Sequence, residues 1–130
     1  MPALNAIGIV SQDLGASVRF YRLLGAAFPD PDGDHVEAVL PNGLRLMLDA
    51  LALITSLDPD WTEPKGHRMV LAFDCASPAG VDATHAALTA AGHRSKTAPW
   101  DAFWGQRYAQ VLDPDDNVVD LFAALPRAAS

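Results

Sequence analysis

The segment Pro41-Asn42-Gly43-Leu44-Arg45-Leu46-Met47-Leu48 is echoed by Pro114-Asp115-Asp116-Asn117-Val118-Val119-Asp120-Leu121, each a turn feeding a strand. Ahead of each copy stands another matched pair, a short apolar strand and then a helix-like stretch closed by glycine: residues 7–10 with 17–25, and residues 69–73 with 81–92. The chain therefore reads as two copies of one module, about residues 4–57 and 66–123. The linker between them, residues 58–65, is rich in turn formers and polar apart from Trp61. A module this small buries its apolar face poorly alone. Two are expected to pack into a single domain over residues 1–130, with a cleft related by a pseudo-twofold axis.

Half of the 130 residues are hydrophobic, enough for a core without metals or disulfides. The formal net charge of -7 argues against a nucleic-acid partner, because a phosphate-backbone binder needs a clustered basic surface. The nine Lys and Arg residues are scattered and join no apolar helical face, so a membrane partner is not expected either. Apolar runs such as residues 50–54 and 69–73 are too short to span a bilayer. Met1-Pro2-Ala3-Leu4 has no basic region leading into an apolar stretch, so the expected compartment is the cytoplasm. The single cysteine, Cys75, has no basic neighbour to activate it and reads as a structural thiol.

Residues 6–10 read as a buried strand, followed by capping side chains at 13–17 and a helix whose Val18, Tyr21 and Leu24 follow a helical period. Residues 35–40 and 44–49 form a hairpin around Pro41-Asn42-Gly43, with Leu44, Leu46 and Leu48 on one face and Arg45, Met47 and Asp49 on the other. The second module repeats the order: a strand at 68–75, a helix opened by Ser77-Pro78 and a strand near 94–97. An aromatic loop at 100–104 and a hairpin of 107–112 with 118–123 complete it. Residues 127–130 read as a frayed tail.

Asp13-Leu14 before a helix carrying Phe20-Tyr21, the stretch Phe103-Trp104-Gly105-Gln106-Arg107, the turn Asp113-Pro114-Asp115-Asp116-Asn117 and the strand Val119-Asp120-Leu121 resemble the vicinal oxygen chelate superfamily. That is the glyoxalase, bleomycin-resistance and extradiol-dioxygenase group, and the resemblance covers residues 4–123. It implies an α+β fold of two βαβββ modules, their mixed sheet curled around a cavity with helices outside, in a homodimer. The group's enzymes hold a divalent metal on His, Glu or Gln side chains from the first and last strands of each module. The matching positions here are Ala6, Met47, Val70 and Asp120, of which only Asp120 is a plausible ligand. A lone carboxylate is not a metal site, since catalytic zinc takes about three protein ligands and non-haem iron two His and a carboxylate. His35, His67, His85 and His93 lack the spacing to supply the rest, so no metal or other cofactor is expected.

Alternation turns Asp120 to the same side as Val118 and Phe122, either to pair with Arg45 or Arg107 or to orient a ligand as a carboxylate or general base. Trp100, Phe103 and Trp104, with Trp61 from the linker, suit stacking on a planar ligand; Trp104 and Phe103 equally suit closing one end of the sheet. Arg45 and Met47 share a strand face, and Arg107 and Tyr108 are a further cation and hydrogen-bond donor within reach of a ligand or of acidic neighbours. The acidic turn 113–116 lacks the spacing of a calcium loop and is explained by hairpin chemistry.

This fold hosts both enzymes and binders, so function rests on the site. The leading expectation is a metal-independent small-molecule-binding protein of the glyoxalase/bleomycin-resistance type that sequesters a toxic aromatic compound or antibiotic. The alternative is a lyase, isomerase or dioxygenase with nonstandard metal ligands or with Asp120 acid-base chemistry. A third reading is a structural or regulatory dimer with a filled cavity.

Overall fold

The computed structural model describes residues 1–126 and is α+β, with three helices and two open mixed sheets. The chain divides into two compact units, Met1–Lys65 and the part beginning at Gly66. The first contains β1 (Ala6–Ser11), α1 (Leu14–Arg22), β2 (His35–Val39), β3 (Arg45–Ala50) and α2 (Leu51–Leu57). The second contains β4 (Leu71–Asp74), α3 (Pro78–Ala90), β5 (Arg94–Ala102), β6 (Gln106–Leu112) and β7 (Val118–Ala124).

In the first unit the sheet order is β1-β3-β2, with β1 parallel and β2 antiparallel to β3. Asp13 accepts a hydrogen bond from the Ala16 amide and so starts α1 earlier than the apolar period alone indicates. Val18, Phe20 and Tyr21 of α1 are buried, as are Leu46 and Leu48 of β3, and a Ser11–Ser17 hydroxyl bond of 2.7 Å ties β1 to the helix. This unit has three strands rather than the expected four. Residues 26–34, which follow the helix, hold Pro29 and Pro31, and a proline has no amide hydrogen to give a ladder. The apolar run after β3 becomes α2 instead. It has no side-chain cap and no buried residue, which is why neither capping nor periodicity signalled it.

In the second unit the order is β4-β7-β6-β5, again with a parallel first strand. Ser77 caps α3 by accepting from the Gly80 amide at 3.0 Å. A Cβ at Gly80 would stand 2.2 Å from the Cys75 carbonyl oxygen, so the entry into α3 requires glycine there. The helix covers one sheet face, burying Val81 and Leu88 with Ala109, Val111, Val119 and Leu121 at no more than 0% exposure. β4 starts at Leu71 rather than at 68. It borders β7 alone, and residues 68 and 69 lie beyond Val118, where β7 begins. β5 runs on to Ala102, passing Pro99 through register irregularities, so Trp100 is a strand residue paired with Tyr108 and not part of a loop. The expected tail at 127–130 lies outside the described residues.

The sequence echo persists as an echo of register. Met47 lies between Gly8 and Glu37, and its counterpart Asp120 lies between Ala72 and Gln110.

Candidate functional site

In the second unit Arg107 fixes which way β6 faces. Its guanidinium bonds Asp82 of α3 and Asp101, with Nε to Asp82 at 3.0 Å, so residues 107, 109 and 111 face the helix. Tyr108 and Gln110 therefore occupy the other face. Arg107 does not reach a ligand there, because the helix carboxylate holds it on the wrong side of the sheet.

On the face away from α3, one cross-strand row reads Thr97, Gln110, Asp120, and the next reads Trp100, Tyr108, Phe122. The first row is a directed relay. Thr97 Oγ1 donates to Gln110 Oε1 at 3.1 Å, which turns the Gln110 amide so that Nε2 donates to Asp120 Oδ1 at 2.9 Å. Tyr108 joins the rows: its burial, together with the neighbouring Asp120 carboxylate, pushes its pKa up to about 12. Asp120 thus accepts from Gln110 and lies beside Tyr108, and does not pair with Arg45 or Arg107.

The aromatic side chains continue from Tyr108. Trp104 meets Tyr108, Trp100 and Phe103 edge to face, at centroid separations of 5.2, 5.5 and 5.0 Å. Trp104 does not close the sheet end, for it is 47% exposed, with Nε1 donating to Gln106 Oε1 at 2.9 Å. Trp100 is 39% exposed, and Phe103, in the turn before Gly105, is 92% exposed. A partly wet aromatic surface beside a half-buried carboxylate can stack a flat molecule and orient one polar group on it.

The remaining expected site residues belong to the first unit. Arg45 pairs with Glu37 at 2.9 Å and donates to Asn5. His35 bridges Asp49 at 2.5 Å through Nδ1 and Glu37 at 2.9 Å through Nε2, bonds that raise its pKa and lower that of Glu37. Met47 is half-buried on this face, with its methyl toward Gly8, and Trp61 sits in a turn whose amide donates to the Asp58 carbonyl. The ionisable side chains Arg45, Glu37, His35 and Asp49 are thus bonded to one another.

The residues do not fit the divalent metal of the resembling enzymes. Ala6 and Val70 carry no donor, Met47 offers only a soft thioether, and Asp120 is hydrogen-bonded to the neutral amide of Gln110. Both ring nitrogens of His35 are engaged by different carboxylates, so that cluster does not converge on one point. Among the described residues no group of three or more His, Cys, Asp or Glu side chains is placed to hold a metal ion. The acidic hairpin is likewise internally satisfied: the buried Asp113 carboxylate accepts from the Asp115 and Asn117 amides and from Asn117 Nδ2. No helix of the described residues is long and apolar enough to cross a membrane.

Sequence reasoning missed Thr97, Gln106 and Gln110. The alternation of Gln106, Tyr108 and Gln110 against buried Ala109 and Val111 was the available signal.

The family model described as the Glyoxalase/Bleomycin resistance protein/Dioxygenase superfamily matches residues 3–121. A glyoxalase/bleomycin resistance protein/dioxygenase from Nocardioides is 27% identical, over 100% of this chain and 91% of that one, with a TM-score of 0.74. A family enzyme from Burkholderia phytofirmans PsJN is 21% identical, over 95% of this chain and 100% of that one, at a TM-score of 0.84. The lactoylglutathione lyase from Agrobacterium tumefaciens is 18% identical, over 93% and 92%, at 0.68, and like the previous structure establishes likeness of fold alone. No curated protein matches the sequence.

Proposed function

The chain belongs to the glyoxalase/bleomycin resistance protein/dioxygenase superfamily, and from that premise we propose that it is a metal-independent small-molecule-binding protein. Its ligand is a planar aromatic compound, a toxic metabolite or antibiotic held out of reach of its target. The observation that carries this reading is the face on which Tyr108 links the Trp100–Trp104 pair to Asp120. A pocket needs apolar area for affinity and a few convergent polar groups for orientation, and this face has both.

The competing reading, an enzyme using Asp120 and Tyr108 for acid-base chemistry, asks the phenol to exchange its proton near neutral pH. A pKa of about 12 makes Tyr108 a fixed hydrogen-bond donor instead. The proposal includes a homodimer in the cytoplasm. Among the described residues β2 pairs with β3 alone, and an unpaired strand edge favours self-association; light scattering that gives a monomer would remove that part.

The test is elemental analysis of protein purified without chelator or affinity-tag metal, with melting before and after EDTA, followed by tryptophan quenching with planar compounds. Binding by metal-free protein of unchanged melting temperature supports the proposal. A stoichiometric metal whose removal lowers the melting temperature would overturn it.

A further inference from the structure

We infer that the ligand of this face is a planar aromatic cation, such as a protonated aminoquinoline or an aryl amidine, with its charge on Asp120 and its ring against Trp100, Trp104 and Tyr108. The inference rests on the planar-ligand reading above and adds the charge.

Asp120 is half-buried, and both its hydrogen-bond partner, Gln110, and its neighbour Tyr108 are neutral. Neutral donors satisfy individual lone pairs but leave the negative charge uncompensated, and a carboxylate withdrawn from water favours a counter-charge. Two arginines of this unit are engaged elsewhere: Arg94 with Asp116, and Arg107 with Asp82 and Asp101.

Several donors on the face are also committed. Gln110 gives an amide hydrogen to Asp120, Thr97 gives its hydroxyl to Gln110, and Trp104 gives its indole N–H to Gln106. A ligand's anionic or acceptor group therefore finds those hydrogens already used, and meets a carboxylate beside them. A ligand's N–H donor finds the remaining lone pairs of Asp120, since an ionised carboxylate accepts about four hydrogen bonds. The aromatic surface has the same preference, because the π-faces of Trp and Tyr carry the negative lobe of the quadrupole and attract cations.

The experiment compares three flat bicyclic probes by tryptophan quenching and calorimetry at pH 7: 4-aminoquinoline, a cation there; neutral quinoline; and anionic 2-naphthoate. The expected result is that 4-aminoquinoline binds tighter than quinoline by roughly tenfold or more, the size of one charge-assisted hydrogen bond, and that 2-naphthoate binds weakest. Asp120→Asn abolishes the preference for 4-aminoquinoline over quinoline. In the unsubstituted protein the preference declines as salt rises, which tests the charge even if the variant fails to fold. Equal binding of cation and neutral probe, or a preference that survives Asp120→Asn, overturns the inference and leaves the planar-ligand reading standing. Binding of none of the three overturns both.

Discussion

Tyr108 on β6 lies beside Asp120 on the neighbouring strand β7, and the partial burial of its ring, together with that carboxylate, raises its pKa to about 12. The phenol therefore keeps its proton throughout the physiological range. The chain has two tyrosines, and Tyr21 is fully buried whereas Tyr108 is half-buried.

An alkaline absorbance titration is therefore expected to place the Tyr108 midpoint near 12, and Asp120→Asn to bring it down toward the ordinary 10. Because the folded pKa is raised, the linked stability is fully present below pH 10 and is lost as pH rises through 12. A midpoint that Asp120→Asn leaves unmoved would remove the carboxylate from the account.

His35 provides a second titration, in the other unit. Its pKa is raised above 6.5, first by the bond to Asp49 and then by that to Glu37. Stability from this bridge is present below pH 6.5 and declines as pH rises through the folded value, a slope that His35→Ala should flatten. In an NMR titration Asp49→Asn should lower the His35 pKa more than Glu37→Gln does. The reverse order would contradict the geometry.

At Gly80 the expected effect is steric. Gly80→Ala sets a methyl group against the Cys75 carbonyl and should cost about 1 to 3 kcal/mol in urea unfolding, the usual penalty of overpacking. An unchanged midpoint would mean that the β4–α3 connection is free to move aside.

Arg107→Ala should weaken stability slightly through the loss of Asp82 and Asp101, yet leave probe affinity within about twofold, because it lies on the helix side of the sheet. A large loss of affinity with folding intact would put Arg107 on the ligand face and refute the facing of β6 described above.

Cys75 is held above the ordinary thiol range, chiefly by burial. Its reaction with Ellman's reagent should be slow in the native protein and accelerate on unfolding.

Much of this architecture was legible in the sequence because it depends on short-range patterns. Period-two alternation identified the Leu46 and Leu48 face of β3, and Asp13 and Ser77 marked where helices begin. The repeat itself aligned Met47 with Asp120 in the register later observed. What stayed hidden depends on neighbours far along the chain. The partner of Asp120 is set by which strand lies beside β7, and no local pattern says that Gln110 arrives there rather than an arginine. Trp100 read as part of an aromatic loop at 100–104, whereas β5 continues past Pro99 as an edge strand with register shifts. The first unit's shortened sheet could have been inferred from Pro29 and Pro31, had they been weighed against the pairing a fourth strand demands.

The shared register of the two sheets sharpens what each half has become. Equivalent positions carry Glu37 and Met47 in one and Gln110 and Asp120 in the other. The former surface is a continuous chain of hydrogen bonds from Arg45 through Glu37 and His35 to Asp49, whereas the latter holds one carboxylate with neutral company. Doubling of the architecture has thus not doubled the chemistry: the halves have specialised, and a ligand attracted by that anion should saturate at one equivalent per chain rather than two.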